Sequence, residues 1–117
     1  MVMIWVDPNI HSTEKNYHES ITKLKRITEL IYIFTKSDQC VHFLDTTNEE
    51  NVALIVSNTL GEQLVPIVFD KLKLKSIYIF NQEKQIQVNW ANKWEGKMKG
   101  TFYDIQDIFE AIKPNSG

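Results

Sequence analysis

The residues best suited to chemistry in this chain follow its apolar runs. Asp7, Pro8 and Asn9 come after Val2-Met-Ile-Trp-Val6, Ser57, Asn58 and Thr59 after Val52-Ala-Leu-Ile-Val56, and Asn81 and Gln82 after Ser76-Ile-Tyr-Ile-Phe80. If these runs are parallel strands, the polar residues gather on one edge and would line a small pocket for a metal, a phosphate or a nucleotide. Asp, Asn and Ser at such positions also make turns and cap the helices that follow, because their oxygens accept from free backbone amides. Capping is the preferred reading, since each helix start on that edge has amides to satisfy.

Other reactive types are poorly spaced for catalysis. A magnesium site needs several charged oxygens, and Asp7 is the one carboxylate expected on the edge. His11, His18 and His42 are scattered over loop and helix positions and do not converge on zinc. Ser57 follows a strand as an elbow nucleophile does, yet Val56-Ser-Asn-Thr-Leu-Gly61 lacks the glycines that flank such a serine. Cys40 has no basic neighbour in sequence to lower its pKa and reads as helix core or a half-exposed thiol. Gly61 stands outside any glycine triplet or Gly-Lys-Ser/Thr element and reads as a helix start after a tight turn. The expectation is no catalytic residue, no metal and no cofactor.

The aromatic residues point to association. Ile86, Trp90 and Trp94 stand four apart and share one face of a predicted fourth helix, and Tyr103 on the last strand extends it. Tryptophan at helical spacing is more often core than interface, but a helix over an edge strand in so small a domain leaves part of two indoles uncovered. Exposed Trp and Tyr are the types that anchor interfaces. The predicted interaction surface is therefore the fourth helix, the fifth strand and the fifth helix, binding a protein partner or a second copy.

The elements that must position these residues follow from hydropathy. The runs ending at Val6, Phe34, Val56 and Phe80 read as strands buried on both faces, and Gly100-Thr-Phe-Tyr103 as a weaker edge strand. Tyr17, Ile21, Leu24 and Ile27 or Thr28 mark one face of a first helix. Ser37 is the predicted cap of a second, with Val41 and Leu44, or Cys40 and Phe43, on the sheet. Leu60, Leu64, Ile67 and Val68 mark a third that begins near Gly61 or Glu62, because Pro66 is best tolerated in a first turn. Asp104 with Asp107 resembles a capping arrangement before Ile105, Ile108, Phe109 and Ile112, and Lys113-Pro114 closes that last helix. Five strands alternating with five helices predict an α/β three-layer sandwich around a five-stranded parallel sheet of flavodoxin-like order 2-1-3-4-5.

The 117 residues, 43% hydrophobic and 24% charged, suit one domain over 1–113 with a tail or linker start at 114–117. A net charge of -2 gives polyanion binding no support, so no nucleic acid is expected. The single cysteine, the lack of a charged leader and apolar runs far below the roughly 20 residues of a membrane span predict a cytoplasmic protein without membrane contact.

Asp7 after the first strand, the run Val52 to Val56, and Lys97 or Lys99 just before the fifth strand resemble a degenerate receiver of the CheY-like kind over most of the chain. Receivers carry two acidic residues after strand one, an aspartate after strand three and a lysine after strand five. Here Asp7 stands alone, Ser57 or Asn58 occupies the acceptor position, and no lysine clearly follows strand five. The resemblance thus implies a pseudo-receiver that does not transfer phosphate. A more specific likeness lies in Ile4-Trp-Val-Asp7, in Leu54-Ile-Val-Ser-Asn-Thr-Leu-Gly-Glu-Gln-Leu-Val-Pro66, in Ser76-Ile-Tyr-Ile-Phe80 and in Asn89-Trp-Ala-Asn-Lys-Trp94 followed by Lys99-Gly100. These are similar to a recurrent amino-terminal domain of animal multidomain proteins with TPR repeats or ADP-ribosyltransferase modules, which implies a regulatory or docking role. A TIR-like reading competes: the third strand runs into a serine and a helix, Glu62-Gln-Leu-Val-Pro-Ile-Val-Phe-Asp70, without Trp-Cys and with Asp70 near the position of a catalytic glutamate. The expected function is a non-enzymatic regulatory or protein-interaction module of an intracellular signalling-type multidomain protein. The alternatives are a nucleotide- or phosphate-sensing domain at the switch-point edge and a weak TIR-like NAD hydrolase.

Overall fold

Continuous apolar runs form the inner strands of the sheet, where both faces are covered. The run ending at Phe34, expected to be buried on both faces, is an edge strand and only partly buried. The computed structural model describes residues 1–8, 17–28, 30–81 and 89–112. Its elements are β1 (Val2–Val6), α1 (Tyr17–Leu24), β2 (Leu30–Phe34), α2 (Ser37–Thr46), β3 (Val52–Ser57), α3 (Asn58–Val68), β4 (Leu74–Phe80), a 3-10 turn (Trp90–Lys93), β5 (Met98–Phe102) and α4 (Ile105–Ile112). All strand pairs are parallel and the order is β2-β1-β3-β4-β5, the flavodoxin-like arrangement. Every residue of β1 and β3 is buried, as two central strands require.

Side-chain alternation along the strands divides the core between two faces. Ile4, Val6, Leu54, Val56, Ile77 and Ile79 pack with Cys40 and Leu44 of α2 and Leu64, Val65 and Val68 of α3. Met3, Trp5, Ala53, Ile55, Tyr78 and Phe80 pack with Leu24 of α1 and Ile108 of α4. Helices therefore cover the sheet on both sides, giving three layers. Lys23 of α1 donates to Gln106 of α4 at 2.9 Å and ties the second face together.

Three local expectations are corrected. First, α3 begins at Asn58, so Pro66 is its ninth residue and lies in the last turn. Ser57 supplies the start, its Oγ accepting from the Leu60 N–H at 3.3 Å. The bond that Pro66 forfeits would have gone to the carbonyl of Glu62, an exposed residue. Second, Ser37 is the first helical residue of α2, and the cap position is Lys36. Gln39 reaches back, its Oε1 accepting from Thr35 and Lys36 N–H at 3.1 and 3.2 Å, which removes the need for a serine hydroxyl.

Third, the Trp90 to Trp94 stretch is a 3-10 turn with Trp94 at its C-cap, where an α-helical face was expected. Three residues per turn place positions four apart on different sides, so the two indoles do not form one stripe. Ile86, Asn9, Gln82, His11 and the tail 114–117 lie outside the described residues.

Candidate functional site

The carboxyl edge of the sheet is built by chain continuation past the strand ends. The Asp7 N–H donates to the Phe34 carbonyl at 3.0 Å and the Asn81 N–H to the Phe102 carbonyl at 2.8 Å, so both residues extend the ladder by one step. Asp7, Ser57 and Asn81 thereby terminate neighbouring strands β1, β3 and β4 around the switch point. All three are buried, at 3%, 7% and 4% exposure. The sheet brings together three of the polar residues singled out from sequence, and it buries them.

The next two residues are held from within. Ser57 Oγ lies 3.1 Å from Thr59 Oγ1 while it caps α3. Asn58 Oδ1 accepts the Trp90 indole N–H at 2.8 Å. Behind that bond the indole rests on Gly61: a β-carbon there would sit 2.7 Å from Trp90 Cη2, 2.8 Å from Cζ2 and 3.3 Å from Val56 Cγ1. Asn58 and Gly61 are three apart and share a face of α3, so one helix face both seats the ring and orients it.

Gly61 is thus a mid-helix residue selected by close packing, in place of the turn glycine expected from sequence. The signal was present, because an isolated glycine within a helical pattern sacrifices about 1 kcal/mol of propensity and calls for a packing reason. Trp90 stands 29 positions away in sequence, so the partner was not readable from local spacing.

Trp94 is held differently. Its ring centroid is 5.0 Å from Phe69, and the Lys93 ammonium lies 5.6 Å from the ring centroid. Its Nε1 is buried and has no hydrogen-bond partner among the described residues. Both indoles pack against the α2/α3 core, half-buried, whereas Tyr103 is 43% exposed. The two tryptophans therefore differ in the consequence of a change to phenylalanine. Trp90→Phe leaves Asn58 without its donor and is expected to lose about 1–2 kcal/mol beyond the volume change, while Trp94→Phe removes an unpaired donor and stays closer to wild type. Denaturant melts of the two variants measure the difference; equal losses would overturn it.

The lysines beside the fifth strand occupy the opposite end of the sheet. Lys97 precedes β5, donates to the Phe69 carbonyl and, at 2.8 Å, to the Lys71 carbonyl, and stands 5.5 Å from the Phe69 ring centroid. It thereby binds the carbonyl of Phe69 at the C-cap of α3 and that of Lys71 just beyond it. Partial burial lowers its pKa from the usual lysine value, with Asp70 opposing the shift and Lys75 adding to it. Lys73 donates to the Thr47 carbonyl at the end of α2, and Lys71 pairs with Asp45. Lys99 is exposed on β5. Neither Lys97 nor Lys99 is on the side of the sheet where Asp7 and Ser57 lie.

Of the two acids of the TIR-like reading, Asp70 is separated from that edge as well. Glu62 is exposed on α3, and Asp70 follows the end of the helix, one helix length of roughly 16 Å from Ser57. Among the described residues no three His, Cys, Asp or Glu side chains gather as a metal cluster, and no helix is long and apolar enough to cross a membrane. Comparison with known protein families, curated proteins and solved structures finds no match to this chain.

Proposed function

We propose that this domain is a non-enzymatic regulatory or protein-interaction module of an intracellular multidomain protein. The observation that carries the reading is the internal use of the carboxyl-edge side chains. Ser57 caps α3, Thr59 meets Ser57, and Asn58 anchors Trp90. A hydroxyl that accepts a helix amide is a capping group, and its role requires no substrate. An enzyme of the receiver or TIR kind needs the reverse, a carboxylate or an acid-base pair presented to a reacting atom.

Two treatments test this. Incubation with a small phosphodonor and magnesium is expected to leave the intact mass unchanged, and a stoichiometric phosphoryl adduct on Asp7 would defeat the reading. Incubation with NAD is expected to release no nicotinamide; release that disappears in Asp70→Ala or Glu62→Ala establishes the TIR-like hydrolase instead. The sensing alternative has its own signature. A ligand that binds only the folded state raises the melting temperature by mass action, so a concentration-dependent rise with a nucleotide or inorganic phosphate would favour it.

A further inference from the structure

The two edges of the sheet are built differently. On β5 the register shifts between Ile77 and Tyr78, which pair with Met98 and Gly100 and leave Lys99 between them. Gly100 there has φ +134°, and Lys99 is exposed. A bulge, a glycine and a lysine are the usual means by which an edge is protected from pairing with another chain. On β2 none of these is present. Leu30-Ile-Tyr-Ile-Phe34 has neither charge nor proline, its register with β1 is unbroken, and its first residue is 47% exposed. Among the described residues no strand lies beyond it.

The hydrogen-bonding direction of each β2 residue follows from one contact. Asp7 donates to the Phe34 carbonyl, so Phe34 faces β1. Alternation then turns Tyr32 and Leu30 the same way and leaves the N–H and C=O of Ile31 and Ile33 directed outward. We infer that a second copy of this chain pairs antiparallel along β2, with Ile31 opposite Ile33 of the other copy and Tyr32 on the two-fold axis. This register joins the outward groups in two reciprocal pairs, four backbone hydrogen bonds in all. It also sets apolar against apolar at every step. Tyr32 and Phe34 lie on the α2 side, against Phe43 with ring centroids at 4.6 and 6.0 Å, and Ile31 and Ile33 pack on the α1/α4 side. Cross-strand pairs of this kind stabilise a sheet on both of its faces. An isologous contact needs a surface that complements itself, and a strand with isoleucines flanking a central tyrosine and large apolar residues at both ends meets that condition.

The inference deepens the docking reading by naming the surface and the partner, and rests on it for the class of ligand. Light scattering of the wild-type chain at roughly 100 μM, a scale suited to weak homodimers, is expected to give twice the 13.7 kDa chain mass. Ile33→Pro removes an outward donor without removing a bond to β1, and is expected to be monomeric with unchanged circular dichroism. Tyr32→Cys reads the register directly, because a non-hydrogen-bonded antiparallel pair has Cα atoms about 4.5 Å apart, within disulfide range. Mild oxidation is expected to give a covalent dimer from Tyr32→Cys and none from Ile31→Cys, whose counterpart is position 33. A monomeric wild type, a folded proline variant that still dimerises, or crosslinking through position 31 in place of 32 overturns the pairing. A monomeric wild type leaves the docking reading standing, whereas a phosphoryl adduct or nicotinamide release removes that reading and leaves the pairing intact.

Discussion

Truncating Trp90 to alanine lowers stability by about 3 kcal/mol, the low end of the range for a large aromatic because the ring is only half-buried. It also reverses the sign of a second substitution. In the wild-type chain Gly61→Ala drives a methyl to within 2.7 Å of the indole, so either the ring lifts and breaks its bond to Asn58 or the helix shifts, with a loss of about 1–3 kcal/mol. With Trp90 already alanine the obstruction is gone. The remaining neighbour, Val56 Cγ1 at 3.3 Å, asks for an adjustment of tenths of an ångström. Alanine then brings its helix propensity, up to about 1 kcal/mol in favour. Denaturant melts of the four proteins complete the cycle, and the coupling is expected to exceed about 2 kcal/mol. If Gly61→Ala destabilises both backgrounds equally, the indole seat is not what excludes a side chain at 61.

This cycle probes the candidate site, because the same ring fixes Asn58 at the start of α3. The sequence-level view of Trp90 and Trp94 as one sticky face rested on spacing alone. Spacing of four is informative only within an α-helix, and a 3-10 turn sends the two rings to Asn58 and Gly61 in one case and to Phe69 in the other. Among the described residues of that surface Trp90 and Trp94 are half-buried and Tyr103 is exposed. Association therefore finds a stronger physical basis at β2, where five apolar residues meet no protective feature.

The central fold was readable because parallel strands leave an unusually plain trace. Met3, Ile4, Trp5 and Ala53, Leu54, Ile55 are apolar at successive positions, which is tolerated only where both faces are covered. The alternation of such runs with helical periodicity then leaves few topologies. Capping by Ser57 was readable too, since the demand for a cap is local. The start of α3 was misplaced because the proline rule was given priority over that cap. A helix that ends two residues after Pro66 forfeits little, and a good N-cap sets the start. The seat of Trp90 on Gly61 was out of reach for a different reason: it is a tertiary contact between segments whose local patterns carry no trace of each other.

Cys40 is expected to be inert until the domain opens. It is fully buried on α2 among the core residues of its face, and burial pushes its thiol up to about 12, with Lys71 pulling the other way. Against the ordinary value of 9.0, the thiolate population near neutral pH falls by about a thousandfold, and the thiolate is the species that alkylates. Iodoacetamide at pH 8 is therefore expected to label the native chain at least about a thousandfold more slowly than the chain in denaturant. The same shift has a sign in stability. The folded state holds its proton where the unfolded state has released it, so the contribution is complete below pH 9.0 and declines as pH rises towards about 12. Across that window the loss attributable to this thiol is on the order of 4 kcal/mol. Lysines and tyrosines titrate in the same window, so the measurement is a comparison. Cys40→Ala begins less stable, because it leaves a small cavity against Leu44 and its neighbours, but its stability is expected to fall less steeply between pH 9 and 11 than that of wild type. Equal slopes for the two proteins, or rapid labelling of the native chain, would mean that α2 opens readily and that the face of the sheet it covers is accessible in the folded domain.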